Sequence, residues 1–290
     1  MIELNNEKLH VEFSETGAQL IRLQDQKNGR DYLWSGDPTY WRFSAPILFP
    51  IVGRLKNDQY EHQDQTYTMH QHGFARESEF KVLEKNRTQI IFELTSAMHQ
   101  FDNYPFEFIL RVTYQLKADE LTISYQITNP GEDELFFSIG AHPAFNVSLD
   151  ENRELDHVRL SVTPQRIYDQ VKLIGPYSDI QHPQKLDLTQ PLELKREMFD
   201  NDALILDLQG QAIELALNSQ DNHGVKVFLD DAPYVGVWSP YPKKAPFICI
   251  EPWWGIADQI NASGRLNEKA AIHQLASHAS QQMQYRITPF

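Results

Sequence analysis

Phe108-Ile-Leu-Arg-Val-Thr-Tyr-Gln-Leu116 and, beyond Lys117-Ala-Asp-Glu120, Leu121-Thr-Ile-Ser-Tyr-Gln-Ile127 form the stretch that decides the fold. Phe108, Leu110, Val112, Tyr114 and Leu116 take every second position in the first run, and Leu121, Ile123, Tyr125 and Ile127 do so in the second. Alternation with period two lays one side of an extended chain on a core and leaves the other to water, whereas a helix would repeat every 3.6 residues. Two such runs joined by a short polar loop predict a long antiparallel hairpin, stopped at its far end by Asn129-Pro130-Gly131.

The same reading extends in both directions. Short strands are expected at residues 9–13, 19–23, 80–83, 89–94, 158–162, 212–217, 225–229, 234–238, 247–250 and 283–287, with turn formers such as Lys27-Asn28-Gly29 and Asp221-Asn-His-Gly224 between them. A helix of any length is expected only over residues 267–278. Strands do not alternate with helices, which argues against a parallel α/β sheet and for a large antiparallel sandwich. No linker, repeat or composition shift divides the chain, so residues 1–290 read as a single domain. The proline-rich stretch Pro233–Pro246 reads as a long loop on the active face.

Composition narrows the function classes. The chain has 290 residues, 40 acidic against 26 basic, and a formal net charge of −14. Phosphate-neutralising basic clusters are absent, which disfavours nucleic acid as a partner and points to a small polar molecule. No long uncharged apolar run is present, so no membrane span is expected, and the first residues have no apolar signal region. A single cysteine, Cys249, allows no intrachain disulfide and no cysteine-based metal site. A cytoplasmic protein is expected. There is no phosphate-binding glycine loop, no dinucleotide fingerprint and no nucleophile elbow. The matches to the glycosylation sequon at Asn86, Asn146 and Asn261 read as chance without a secretory signal.

Three segments look unlike ordinary strand or loop. In His70-Gln-His72-Gly-Phe-Ala-Arg76, two histidines at i and i+2 on a strand would share a face and chelate a metal; alternatively one is a catalytic imidazole, with Gly73 admitting a ligand close to the backbone, or both are surface groups beside a bend. A metal reading would resemble the first cupin phrase, with Glu77 following, but a matching second phrase is missing. In Ile139-Gly-Ala-His142-Pro-Ala-Phe-Asn146, His142 is held between Gly140 and Pro143, either to aim its ring or simply as a capped strand end. In Phe247-Ile-Cys-Ile-Glu251-Pro-Trp-Trp-Gly255-Ile-Ala-Asp258, a carboxylate ends an apolar strand, where poor solvation raises its pKa and makes it a usable base. Trp253 and Trp254 offer faces that stack on sugars or pack a loop. Arg54, after the rigid run Pro46-Ile-Leu-Phe-Pro-Ile-Val-Gly53, and Arg76 would donate to sugar hydroxyls, bind an anion, or neutralise Glu251. The other histidines, at 10, 62, 99, 157, 182, 223, 273 and 278, read as surface or structural.

These four phrases, in this order over residues 46–258, resemble the aldose 1-epimerase (galactose mutarotase) superfamily, and among its branches the one called LacX-like. The resemblance implies a β-supersandwich and an isomerase that interconverts α and β anomers of an aldose without metal or organic cofactor. It further implies Glu251 as base, His142 as acid and His72 as a group that polarises or positions the sugar. Arg54, Arg76, Asp202 and Trp253 are implied to bind substrate, with a carboxylate neighbour keeping His142 charged. Phe74 after Gly73, Ala144, and Pro252-Trp253 after the glutamate depart from galactose mutarotases proper and alter the pocket walls. The His-Gly-Phe-Ala-Arg phrase is also similar to the hexose-6-phosphate mutarotase branch, so a sugar phosphate is the alternative substrate. A non-catalytic sugar-binding or sensing protein on the same fold is the other alternative.

Overall fold

The 108–127 stretch forms the hairpin that its alternation requires: Ile109–Lys117 pairs with Glu120–Thr128. Leu121 lies opposite Leu116, Ile123 opposite Tyr114, Tyr125 opposite Val112 and Ile127 opposite Leu110. All eight are buried. The loop is tighter than read, because Lys117 and Glu120 are themselves paired and Ala118 takes a φ of 55°. The computed structural model describes residues 2–98, 101–219 and 223–290. His99 and the Asp221-Asn222 half of one expected turn lie outside the described residues.

That hairpin belongs to a nine-stranded antiparallel sheet, which runs from Leu192–Glu193 at one edge to Lys81–Lys85 at the other. An eight-stranded sheet lies against it. Its order is Tyr177–Asp187, Ile167–Ile174, Leu204–Asp207, Tyr234–Trp238, Phe247–Trp254, Ile139–Ala141 and Ile47–Leu48, with Ala144–Asn146 also paired to Phe247–Trp254. One hydrophobic cluster joins the inner faces: Val112, Ile123, Val227 and Tyr285 from the first sheet meet Ile139, Leu206, Val235, Val237 and Ile250 from the second. This is the large antiparallel sandwich expected from the sequence. No helix among the described residues is long and apolar enough to cross a membrane.

The expected helix over 267–278 does not form. Leu266–Glu268 is a short 3-10 turn and His273–Leu275 is a strand on Leu135–Phe137. The segment has good helix formers, but Leu266, Lys269 and Leu275 each have to reach a different buried site, and tertiary pairing overrides propensity. Within Pro233–Pro246, Tyr234–Trp238 is strand; the loop proper follows it and brings Pro240 and Tyr241 to the main cavity.

Candidate active site

Phe247–Trp254 is buried along its whole length. Strand geometry sends alternate side chains to opposite faces, so Ile248, Ile250 and Trp254 enter the inter-sheet core, while Phe247, Cys249, Glu251 and Trp253 face the other way. The neighbouring chain is interrupted opposite Glu251. Ile139–Ala141 pairs with residues 253–254, Ala144–Asn146 pairs with 247–249, and His142-Pro143 fills the break. A proline cannot donate to the ladder, and this interruption is what turns His142 onto Glu251.

His142 Nε2 lies 3.1 Å from Glu251 Oε2. Glu251 is 1% exposed, His142 8% and His72 7%. Among the described residues, Nδ1 of His142 has no hydrogen-bond partner, and Oε2 of Glu251 has none apart from this contact with His142. The Trp41 ring covers the imidazole at 4.7 Å, 33° from parallel, and Trp238 meets it edge-on at 5.4 Å. Burial pushes the Glu251 carboxyl well above its ordinary value, and the nearby Asp202 adds to this. Burial brings the His142 imidazole down to about 3, with Arg76 acting in the same direction. The expected imidazolium is therefore not the resting form. Desolvation is the largest cause on His142, so the carboxylate neighbour does not keep it charged, and burial pushes both groups towards their neutral forms.

His72 is fixed by a two-way clasp. Its backbone N–H donates to Gly53 O at 2.9 Å, and Gly53 N–H donates to its Nδ1 at 3.1 Å. With Nδ1 an acceptor, the ring proton belongs on Nε2. Burial, and then His142, Arg76 and Arg54, hold this imidazole well below the usual range, so it is a neutral donor. His72 and Gly73 both take left-handed φ values, 68° and 69°. This overturns the strand reading of His70-x-His72: the two rings do not share a face, His70 is exposed, and Glu77 is an exposed partner of Arg42. The cupin-like chelate does not exist. Nor does Gly73 serve a ligand. A Cβ there would lie 2.3 Å from Phe49 O, so the glycine is required by close approach of the protein's own backbone.

All seven residues singled out in the sequence line one cavity of about 480 Å³: Arg54, His72, Arg76, His142, Asp202, Glu251 and Trp253. Arg54 donates to Asp58 and to Gln71 Oε1, at 3.3 and 3.4 Å. Arg76 donates to Gln71 O at 2.9 Å, and its Nε is buried without a partner among the described residues. Neither guanidinium is the counter-ion of Glu251, whose ionisable partner is His142. Asp202 takes a φ of 72°, a conformation that Asp tolerates better than most residues, and burial raises its pKa. The Trp253 indole packs against glycines of both flanking strands: a Cβ at Gly140 or Gly236 would come within 2.9 Å of it. Sequence reasoning missed Trp41, Gln71 and Trp238. Trp238 ends an expected strand on the Glu251 face, so period two was a signal for it; Trp41 and Gln71 come from loops and gave none.

A second buried ion pair stands behind the site. Lys269 Nζ donates to Asp258 Oδ1 at 3.0 Å, and Lys56 N–H donates to Asp258 Oδ2 at 2.8 Å. Asp258 N–H in turn donates to Arg54 O at 2.9 Å. Through these bonds Asp258 ties the Gly53–Arg54 loop, and with it the His72 clasp, to the end of the Glu251 strand.

In shape the chain is a galactose mutarotase-like sandwich. It superposes with a TM-score of 0.95 on a galactose mutarotase related enzyme of Lactobacillus acidophilus (32% identity, covering 99% of this chain and 96% of that one). A galactose mutarotase-like protein of Lactobacillus casei gives 0.93 at 33% identity, with both chains fully covered. Among curated proteins, the chromosomal LacX protein of Lactococcus lactis is 34% identical over 301 residues, 99% of this chain and 98% of that protein. The family model described as aldose 1-epimerase matches residues 1–271. The chain belongs to the aldose 1-epimerase family, and its function is of the sugar epimerase or mutarotase kind.

Proposed function

We propose that this protein is an aldose mutarotase in which Glu251 and His142 act as one proton-sharing pair. The observation that carries the reading is their 3.1 Å contact on a cavity wall, buried, with Nδ1 of His142 left unpartnered among the described residues and Oε2 of Glu251 engaged by no group but His142. Buried polar groups are ordinarily satisfied, and unsatisfied ones that face a cavity are kept for a ligand.

Anomer exchange needs the O1 proton removed and a proton delivered to the ring oxygen, so a pair holding a single proton suffices. With that proton on His142, Glu251 takes the O1 proton while His142 protonates the ring oxygen. The C1–ring-oxygen bond breaks and the open aldehyde forms. Rotation about C1–C2 and reclosure through the reverse transfers give the other anomer, and the pair again holds one proton. The neutral resting form differs from the reactive one only in the position of that proton. His72 Nε2–H donates to a sugar oxygen, Trp253 offers its face, and Asp202, Arg54 and Arg76 take hydroxyls. No cofactor has a step in this scheme. Residues of one site spread from Arg54 to Glu251 also support a single domain over 1–290.

The test follows optical rotation after adding protein to freshly dissolved α-glucose and α-galactose. Equilibration faster than buffer is expected, and its loss in Glu251→Gln. If no aldose or aldose phosphate equilibrates faster while Glu251→Gln still binds sugar like the parent, the protein is a non-catalytic binder. A sugar phosphate is the second reading of substrate, favoured by the two guanidiniums that meet at Gln71 on the cavity wall. A lower KM for the phosphorylated sugar, lost in Arg76→Gln, is the result expected on that reading. A cytoplasmic location fits the lone buried cysteine.

A further inference from the structure

Cys249 and Glu251 stand at i and i+2 on the same face of Phe247–Trp254, and His142 reaches across from the neighbouring break. One imidazole nitrogen, the thiol sulfur and one carboxylate oxygen all lie within 4.8 Å of one another, and all three residues are buried. Among the described residues Nδ1 of His142 has no hydrogen-bond partner, and Oε2 of Glu251 has none but the His142 contact at 3.1 Å. The proton-transfer reading uses the imidazole and the carboxyl, and gives the thiol nothing to do.

We propose that His142, Cys249 and Glu251 form a capture site for a borderline-soft divalent cation of the zinc class, whose binding blocks the acid–base pair. One cysteine cannot build a cysteine-cluster site, but it can supply one ligand to a mixed one. A sulfur, nitrogen and oxygen set with three protein ligands suits zinc and leaves a fourth position for water or a substrate oxygen. Magnesium and calcium, which require oxygen ligands, are poorly matched. Zinc bonds of ~2.0–2.3 Å put tetrahedral ligand atoms about 3.5 Å apart, so the widest pair has to close by roughly 1 Å. On binding, the thiol proton and the proton shared by Glu251 and His142 pass to solvent, no other bond changes, and affinity rises with pH. The site rests on its own geometry; its blocking effect rests on the mutarotase reading, because the ligating atoms are those assigned to move protons.

The test is a cobalt(II) titration of the whole protein in metal-free, oxygen-free buffer. A near-ultraviolet sulfur-to-cobalt charge-transfer band should saturate at one equivalent, disappear on adding zinc and ignore magnesium. In Cys249→Ala the band should be lost and affinity should fall by more than about tenfold, while the metal-free sugar rate stays at the parent level. Cys249→Ser serves as the second variant if the alanine variant does not fold. Zinc should suppress mutarotation of the parent, and a chelator should restore it. Cobalt binding without the thiolate band, or equal affinity in the cysteine variants, overturns the site. A band with no zinc effect on a measurable sugar rate overturns the blocking. A band in a protein that equilibrates no aldose leaves the site standing and removes the mutarotase reading, so the two failures are distinguishable.

Discussion

Glu251 and Asp258 are buried carboxylates on one continuous segment, and their surroundings differ in one respect. Asp258 is 3% exposed and fully engaged: Lys269 Nζ binds one oxygen, and the Lys56 N–H binds the other. Lys269 is matched as well, since it also donates to Ile256 O. Glu251 is buried at least as deeply, and its Oε2 has no partner among the described residues but a single histidine at 3.1 Å. The first arrangement is what a buried charge needs in order to hold structure together, because removing one partner strands the other in low dielectric. The second costs stability, and on the mutarotase proposal it leaves the proton of the carboxyl free to move. Satisfaction, rather than burial, separates the structural acid from the one proposed to be reactive.

The largest expected effect breaks this contrast on the reactive side. Glu251→Gln should lower the mutarotation rate by ~10²–10⁴-fold, with the near-ultraviolet dichroism of the folded protein retained. Its stability should move the other way. Glu251 has a raised folded pKa, so ionising it opposes folding once the pH exceeds its ordinary value of 4.5. The amide carries no such term, and thermal unfolding near pH 8 should occur at the parent temperature or above it. A drop in melting temperature that accounts for the lost activity would show Glu251 to be structural after all.

On the structural side, Asp258→Ala leaves the Lys269 ammonium buried and unpaired, and should cost ~3–5 kcal/mol in denaturant unfolding. Replacing both partners, as Asp258→Leu with Lys269→Met, should recover most of that loss, because apolar pairs of similar volume often substitute for buried ion pairs. Sugar turnover in the double variant should stay within about tenfold of the parent, reduced through the Gly53–Arg54 loop. No second substitution at position 142 should rescue Glu251→Gln in this way. Recovery there, or none at 258 and 269, would reverse the roles assigned to the two carboxylates.

A pH profile sharpens the comparison with a smaller signal. An ordinary imidazole acid would put a step in the rate near 6.5, but burial has moved His142 to about 3 and Glu251 upward. Both titrations are thereby pushed away from the ordinary imidazole range, and kcat should show no step near 6.5. Stability has the opposite dependence on the histidine. Its folded pKa lies below the unfolded one, so the unfolded chain binds the extra proton and stability falls as the pH drops from 6.5 towards 3. A clear inflection of kcat near 6.5 would mean that His142 titrates as a solvated group and that the pair is not closed to water.

How far this was legible in the sequence follows the same line between local and distant causes. The hairpin and most of the separate strands depend on residues adjacent in the chain, and period two exposes them. Glu251 was expected at the end of an apolar run but lies inside the longer strand Phe247–Trp254, and the order of strands within each sheet was not legible because it joins distant segments. The position of His142 could be read because Pro143 interrupts its strand locally. The partnership of Asp258 with Lys269 could not, because it joins two segments that share no pattern, and the helix expected over 267–278 was misread for that reason: Lys269 turns inward to meet Asp258. Nor did the sequence reveal the charge state of His142. A carboxylate neighbour was expected to hold it protonated, and only the depth of burial, with Trp41 and Trp238 closing on both sides, reverses that expectation.

Trp41 supplies the smallest of the expected effects, and it tests whether closure around the pair matters. Its ring covers His142 at 4.7 Å and meets Trp238 at 5.8 Å, while its carbonyl accepts the Trp34 indole N–H at 2.9 Å, so the loop that carries it is held in place from behind. Trp41→Phe keeps an aromatic face over the imidazole but removes part of the cover. Aromatic contacts of this kind are worth about 0.5–1.5 kcal/mol, which corresponds to a rate loss of roughly threefold to tenfold if the packing fixes the ring's aim. Trp41→Ala opens the face to water as well. It should bring back part of the missing step in the pH profile, with an acid limb moved from about 3 towards 6.5. A rate loss in Trp41→Ala with an unmoved acid limb would assign Trp41 to holding the sugar rather than to drying the histidine.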